Sequence, residues 1–184
     1  MSWRDIPGHS NFLCLYEREA ILADDGFIFV EVGVALGHSI AFLARQVLDA
    51  GKVGRIHAVD PWAGVARNGE QQTANSPDDY QLYLDMMKQH ASEELGRISD
   101  CRMTSVGASG LFQNHSVDMV LIDGAHDYDS VKQDILAWWP KVKPGGILAG
   151  DDHEAAYPGV EKACKELFGT DYIAKNRYWE KRIK

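Results

Sequence analysis

Cysteine is scarce in this sequence: the three present, Cys14, Cys101 and Cys164, are scattered and form no CxxC pair. That argues against a disulfide framework or a structural zinc site and fits the reduced thiols of a cytoplasm. No run reaches the ~18 apolar residues that a membrane span needs, and the opening MSWRDIPGHS lacks an apolar signal core. Lysine and arginine do not cluster before the C-terminal tail, and the net charge is −8 with a pI near 5.3. A nucleic-acid surface needs clustered cations to neutralise phosphates, so that class of partner is set aside. Internal repeats and low-complexity stretches are also absent. The expectation is a soluble, cytoplasmic protein.

What is present fits one domain. The 184 residues are 45% hydrophobic and 25% charged, close to globular norms and enough to bury a core without staples. Residues 1–25 hold one N-terminal helical segment, from Asn11 to about Ala23, closed by Asp24-Asp25-Gly26. F27-I-F-V-E-V32 reads as a strand buried on both faces. G33-V-A-L-G37-H-S39 is a glycine turn with Ser39 as the cap of a helix carrying Ile40, Leu43, Ala44, Val47 and Leu48. R55–V59 is a second strand, ending in Asp60. Residues 61–78 are polar and irregular, long enough to read as a substrate lid. A helix with Tyr80, Tyr83, Leu84, Met87 and Ala91 on one face follows. C101–V106 and V117–I122 are the third and fourth strands. A helix with Val131, Ile135 and Trp138 then stops at Lys143-Pro144-Gly145-Gly146, and I147–G150 is the fifth strand. A last helix runs from Tyr157-Pro158-Gly159 to Phe168, and a hairpin turns around Asn176. Alternating strands and helices predict an α/β fold: a Rossmann-like, doubly wound, mainly parallel seven-stranded sheet with a C-terminal antiparallel hairpin.

Ligands in such sheets bind beyond the carboxyl ends of the strands, where strand order reverses. The residues placed there are Glu31 with Gly33 and Gly37, then Asp60, Gly107-Ala108-Ser109, Asp123 with His126, and Asp151-Asp152-His153. One Asp before a helix is ordinarily a cap, and one Asp-Gly is ordinarily a turn. Several carboxylates at one sheet edge repel each other unless a cation offsets them. The first turn is not a nicotinamide-dinucleotide fingerprint, because Ala35 stands where the second glycine of G-x-G-x-x-G belongs. Glu31 would repel a pyrophosphate but suits a ligand with an amino group and a sulfonium. Asp60, 27 residues after Gly33, is placed to accept two ribose hydroxyls.

E31-V-G-V-A-L-G37, Asp60, V117-D-M-V-L-I-D-G and K143-P-G-G-I-L together resemble class I S-adenosylmethionine-dependent methyltransferases over roughly residues 26–155. IDGAHDY followed by GDDH is similar to their metal-dependent O-methyltransferases, the catechol and macrocin types. The resemblance implies Asp123, Asp151 and Asp152 as ligands of Mg²⁺ or Mn²⁺, and Asp123 also beside the S-adenosylmethionine. It implies His126 as the base, where the catechol type has lysine, and Gly107, Ala108 and Ser109 against the adenine. Glu31, Gly33, Gly37, Ser39 and Asp60 complete the implied cofactor contacts. The substrate-recognition insertions of these families are not recognisable in residues 61–78.

The chemistry implied is methyl transfer to a hydroxyl of a small molecule, sugar or catechol-like, with a possible homodimer as the assembly. A bound cation lowers the pKa of a coordinated oxygen, and an imidazole titrates near working pH. His126 is otherwise a surface histidine at a helix start. His153 has three readings: support for the metal pair, a substrate contact, or no role. His38 packs on the cofactor turn or serves it, and Tyr128 and Trp62 border the substrate or anchor the core. A metal-independent methyltransferase, a Rossmann oxidoreductase and a nucleoside-binding module without catalysis are the rival functions.

Overall fold

The computed structural model describes residues 2–63 and 78–184. The elements alternate as the hydrophobic pattern predicts. They are α1 (Leu13–Leu22), β1 (Phe27–Val32), α2 (His38–Asp49), β2 (Gly54–Val59), α3 (Asp79–His90) and α4 (Ser92–Leu95). Then come β3 (Ile98–Cys101), α5 (Ser105–Ser109), β4 (Val117–Ile122), α6 (Tyr128–Trp138), β5 (Val142–Gly150) and α7 (Pro158–Phe168). The last two are β6 (Ile173–Lys175) and β7 (Tyr178–Arg182). The seven strands lie in the order β3-β2-β1-β4-β5-β7-β6. β1 to β5 pair in parallel, and β7 runs antiparallel to both β5 and β6. The expected doubly wound sheet with a terminal antiparallel pair is therefore the observed fold. Strand order reverses between β1 and β4. Among the described residues no helix is long and apolar enough to cross a membrane.

The period-two alternation of strand side chains divides the core into two layers. Phe27 and Phe29 of β1, with Met119 and Leu121 of β4, face Leu15, Tyr16, Ile40 and Leu43 of α1 and α2. Val30 and Val32, with Val120 and Ile122, face Val131, Ile135 and Trp138 of α6 and Val160 of α7. Each central strand is thus largely apolar on both faces, which is why these segments read as hydrophobic runs broken only by Glu31 in β1 and Asp118 in β4.

Three boundaries differ from the sequence reading. The third strand lies earlier, at Ile98–Cys101, and Ser105–Ser109 is helical because the Thr104 side chain caps it through the Gly107 N–H. β5 begins at Val142 and runs through Pro144 and Gly145-Gly146. Register against β4 shifts between Val117 and Met119, an irregularity of the kind that accommodates a proline without a ladder N–H. α2 is capped by Gly37, at φ +94°, and not by Ser39. The lid expected over residues 61–78 falls mostly on 64–77, outside the described residues.

Candidate active site

The ends of β1, β2 and β4 meet at a cleft of about 710 Å³. Its floor depends on Gly33 (φ +85°), which abuts the end of β4. A Cβ there would lie 2.0 Å from the Asp123 carbonyl oxygen, so no side chain fits. Asp60 ties the end of β2 to the same turn. One carboxylate oxygen accepts the N–H groups of Val34 (2.9 Å) and Ala35 (3.0 Å), and the other accepts that of Trp62 (2.6 Å). Three bonds leave the carboxylate with spare acceptor capacity, and Asp60 lines the cleft. Trp62 is at once a cleft residue and a core anchor. It lines the cleft, yet is 4% exposed, donates its indole N–H to the Ala35 carbonyl (2.9 Å) and packs on Tyr80 and Tyr83.

Six expected cofactor contacts lie outside the lining of this cleft. Glu31 shares the β1 face of Phe27 and Phe29, so alternation directs it between α1 and α2 and away from the cleft. It is fully buried and accepts hydrogen bonds from the Tyr16 hydroxyl (2.7 Å) and the Ser39 hydroxyl (2.5 Å). Ser39 is consumed by that bond, and Gly37 packs against Met87 and Tyr83. Burial pushes the Glu31 carboxyl up to about 8; the two hydroxyls oppose this, and the charges of Asp123 and Asp60 reinforce it. Gly107, Ala108 and Ser109 lie within α5, and the cleft wall is formed instead by Thr104, Ser105 and Val106. α6 adds Ser130, Gln133 and Asp134 to the lining.

Next to the cleft, the ends of β4 and β5 gather Asp123, His126 and Asp152. One potential ligand atom from each lies within 4.8 Å of the others. His126 Nε2 is 2.7 Å from Asp152 Oδ2 and 4.0 Å from Asp123 Oδ1. The closer pair is at ion-pair distance without hydrogen-bond alignment, and the nitrogen is buried with no hydrogen-bond partner. Tyr157 holds the imidazole from one side, with ring centroids 4.5 Å apart. Asp151 stands beside this group but is engaged elsewhere. Its two carboxylate oxygens take the Asn11 side-chain amide at 3.0 and 3.1 Å. So the set that converges is Asp123, His126 and Asp152, where Asp123, Asp151 and Asp152 were expected.

The charges are frustrated. The Asp123 side chain is 21% exposed, so solvent reaches it, yet burial pushes it up to about 7; Asp151 and Asp152 add to the rise and His126 opposes it. Burial also raises Asp152, with His126 opposing. The Asp123 carboxylate raises the His126 imidazole against the effect of burial, and Asp152 and Asp151 help. Carboxylates held this close with one imidazole between them form a donor set that fits a divalent cation of the Mg²⁺ or Mn²⁺ type, the nitrogen favouring Mn²⁺. His153 turns to the Tyr172 hydroxyl (3.1 Å), away from this group. His38 packs against Trp3 and Gly8 and does not line the cleft. Tyr128 bonds Glu166 and Lys132 at the surface.

Asn11, Tyr157 and Asp134 escaped the sequence reading. Asn11 lies 140 positions from Asp151, so no local pattern could join them. Thr104-Ser105 did carry a signal: threonine three residues before Gly107 is a helix cap.

Residues 30–153 match a family described as methyltransferase domain. No curated protein matches the chain. Among solved structures it is similar to CalS11, described as a TDP-rhamnose 3′-O-methyltransferase of calicheamicin biosynthesis. That likeness has a TM-score of 0.65 and 15% identity and covers 92% of this chain and 76% of the other. It is also similar to an O-methyltransferase of Thermotoga maritima described as SAM-dependent, with a TM-score of 0.63, 16% identity, and 97% and 67% coverage. An rRNA methylase of Streptococcus thermophilus gives a TM-score of 0.63, 12% identity, and 96% and 98% coverage. At these identities the likeness establishes the fold.

Proposed function

The chain belongs to the methyltransferase-domain family and is an S-adenosylmethionine-dependent methyltransferase, and on that premise we propose that it methylates a hydroxyl of a small molecule with help from a divalent cation. One observation carries this reading: Asp123 belongs at once to the cofactor cleft and to the cluster with His126 and Asp152. A donor bound in the cleft and an acceptor bound at the cluster are therefore neighbours.

Methyl transfer is an in-line displacement, and the hydroxyl must lose its proton as it attacks. His126 is placed to take that proton at Nε2, the nitrogen with no hydrogen-bond partner. Asp123 and Asp152 hold the cation, with Asp151 beside them. A cation bound there lowers the pKa of the oxygen it coordinates. Asp60 binds the ribose hydroxyls through its remaining acceptor capacity, and the Gly33 turn lets the donor approach the backbone. Fixing the two reactants in line supplies the larger share of the barrier reduction, ~7–11 kcal/mol for well-oriented pairs. The likeness to CalS11 supports a sugar hydroxyl as acceptor, and a net charge of −8 disfavours nucleic acid.

Mn²⁺ binding followed by electron paramagnetic resonance tests the cation site. Asp123→Asn and Asp152→Asn are expected to weaken it more than tenfold. Methyl transfer from labelled S-adenosylmethionine to a panel of sugars and catechols should stop in EDTA and return with Mn²⁺. Transfer that persists in EDTA removes the cation from the reading. The position of His126 Nε2 within reach of both carboxylates also supports a role as a third ligand. His126→Ala decides between the roles: Mn²⁺ affinity held within twofold with turnover lost marks the base, and a tenfold loss of affinity marks the ligand.

A further inference from the structure

We infer that Arg177 is a positioning residue for the cation site: from the β6–β7 turn it grips the loop that aims Asp152 at His126 and Asp123. This rests on the cluster being the cation site of the proposed function. Arg177 itself belongs neither to that cluster nor to the lining of the cleft.

The register of the terminal strands brings the turn to the loop. β7 runs antiparallel to β5, with Ile147 opposite Arg182 and Gly150 opposite Trp179. Continued two residues further, that register sets Asp152 level with Arg177. The two segments stay joined there. The Arg177 carbonyl accepts the His153 N–H at 2.7 Å, and the guanidinium bonds the Glu154 carboxylate. The loop is also closed on itself, because the Asp152 carbonyl accepts the Glu154 N–H at 2.8 Å. The two residues after Asp152 are therefore held from outside, one by the main chain of Arg177 and the other by its side chain.

The backbone at this junction is strained. Asn176 (φ +50°) and Arg177 (φ +69°) are the two residues joining β6 to β7, and both are left-handed. That is the type I′ pattern, whose second position favours glycine. Asp152 is left-handed too, at φ +57°. Among the described residues six non-glycine residues are left-handed, and three of them meet here. Glycine at position 177 would make the same turn without a Cβ penalty, so what arginine adds is its side chain. Its charge is not the useful part, since a guanidinium beside a cation site repels the ion. Pairing with Glu154 offsets that charge and leaves a geometric role: the loop is pinned with Asp152 Oδ2 at 2.7 Å from His126 Nε2.

Mn²⁺ titration of the full chain, followed by electron paramagnetic resonance, tests this because charge and position predict opposite signs. Arg177→Gly removes a positive charge, so a purely electrostatic role predicts tighter Mn²⁺. Positioning predicts weaker binding, by roughly three- to tenfold, below the ~10- to 100-fold of a group bonded directly to a metal ligand. The thermal midpoint of Arg177→Gly should stand level with wild type or up to about 4 °C above it, because glycine relieves the turn. Arg177→Lys keeps a cationic head for Glu154 and should bind Mn²⁺ within about twofold of wild type. Asn176→Gly loosens the same turn without touching the guanidinium, and its affinity should stay within about twofold as well. Unchanged or tighter binding in Arg177→Gly overturns the assignment, as does an equal loss in Arg177→Lys or Asn176→Gly. In each of those cases the wild type still binds Mn²⁺ and the cation reading stands. A wild type that does not bind Mn²⁺ sinks both.

Discussion

Glu31→Gln should make the protein more stable at neutral pH, by an amount that grows with pH. In the unfolded chain the Glu31 carboxyl titrates near its ordinary value of ~4.3. In the folded protein, sealed between Tyr16 and Ser39, it titrates at about 8. Between those values the folded state holds one more proton than the unfolded state. Stability is therefore full below the unfolded value and drains away as pH rises, by about 1.4 kcal/mol per unit, until the folded carboxyl ionises. Glutamine is neutral in both states and presents the same oxygen acceptor and a donor in place of the carboxylic O–H. Urea unfolding of both proteins from pH 5 to pH 9, with EDTA present, gives the quantity of interest as a difference. That difference should climb by about 1.4 kcal/mol per pH unit, flatten above pH 8 and total roughly 3–5 kcal/mol. Subtraction cancels the titrating groups that do not interact with Glu31; Asp123, which sits at about 7 and repels Glu31, stays coupled to it and broadens the climb near neutral pH. A difference that stays flat with pH would show Glu31 to be charged throughout, and the burial reasoning would be wrong.

Gly33→Ala pairs a left-handed backbone with a Cβ 2.0 Å from the Asp123 carbonyl, so it should cost more than about 3 kcal/mol in urea unfolding and at least tenfold in S-adenosylhomocysteine affinity. A stable variant with unchanged affinity would mean the β1 turn does not press on β4. Gly159→Ala would place a Cβ 2.5 Å from the Tyr128 nitrogen and 2.7 Å from the His126 carbonyl oxygen, displacing the loop that carries His126, the proposed base. Turnover should drop roughly 10- to 100-fold with S-adenosylhomocysteine affinity unchanged within twofold; equal loss of both would place the damage in the fold.

The sequence made the sheet legible because its central strands are buried on both faces, leaving hydrophobic runs in Phe27–Val32 and Val117–Ile122 that only Glu31 and Asp118 break. The edge strand β3 was harder. Ile98–Cys101 is half-buried and polar, and the apolar Met103 and Val106 beyond it drew the expected strand too far along. At the site, Gly33, Asp60, Asp123, His126 and Asp152 stood out because each follows a recognisable strand. The side-chain direction of Glu31 was available from the alternation of β1 yet was outweighed by its place in the glycine motif. Asn11 against Asp151 and Tyr157 against His126 depend on chain crossings that no local spacing encodes.

The Asn11–Asp151 hydrogen bonds also bear on the order of events in folding. They link positions 140 residues apart, and closing so large a loop is entropically expensive until intervening contacts exist. The parallel sheet must be assembled before the amide can find its carboxylate. Burial of Trp138 in the α6 layer should accordingly precede completion of the acidic centre during refolding, so that recovery of tryptophan fluorescence runs ahead of the return of the cation affinity proposed for that centre.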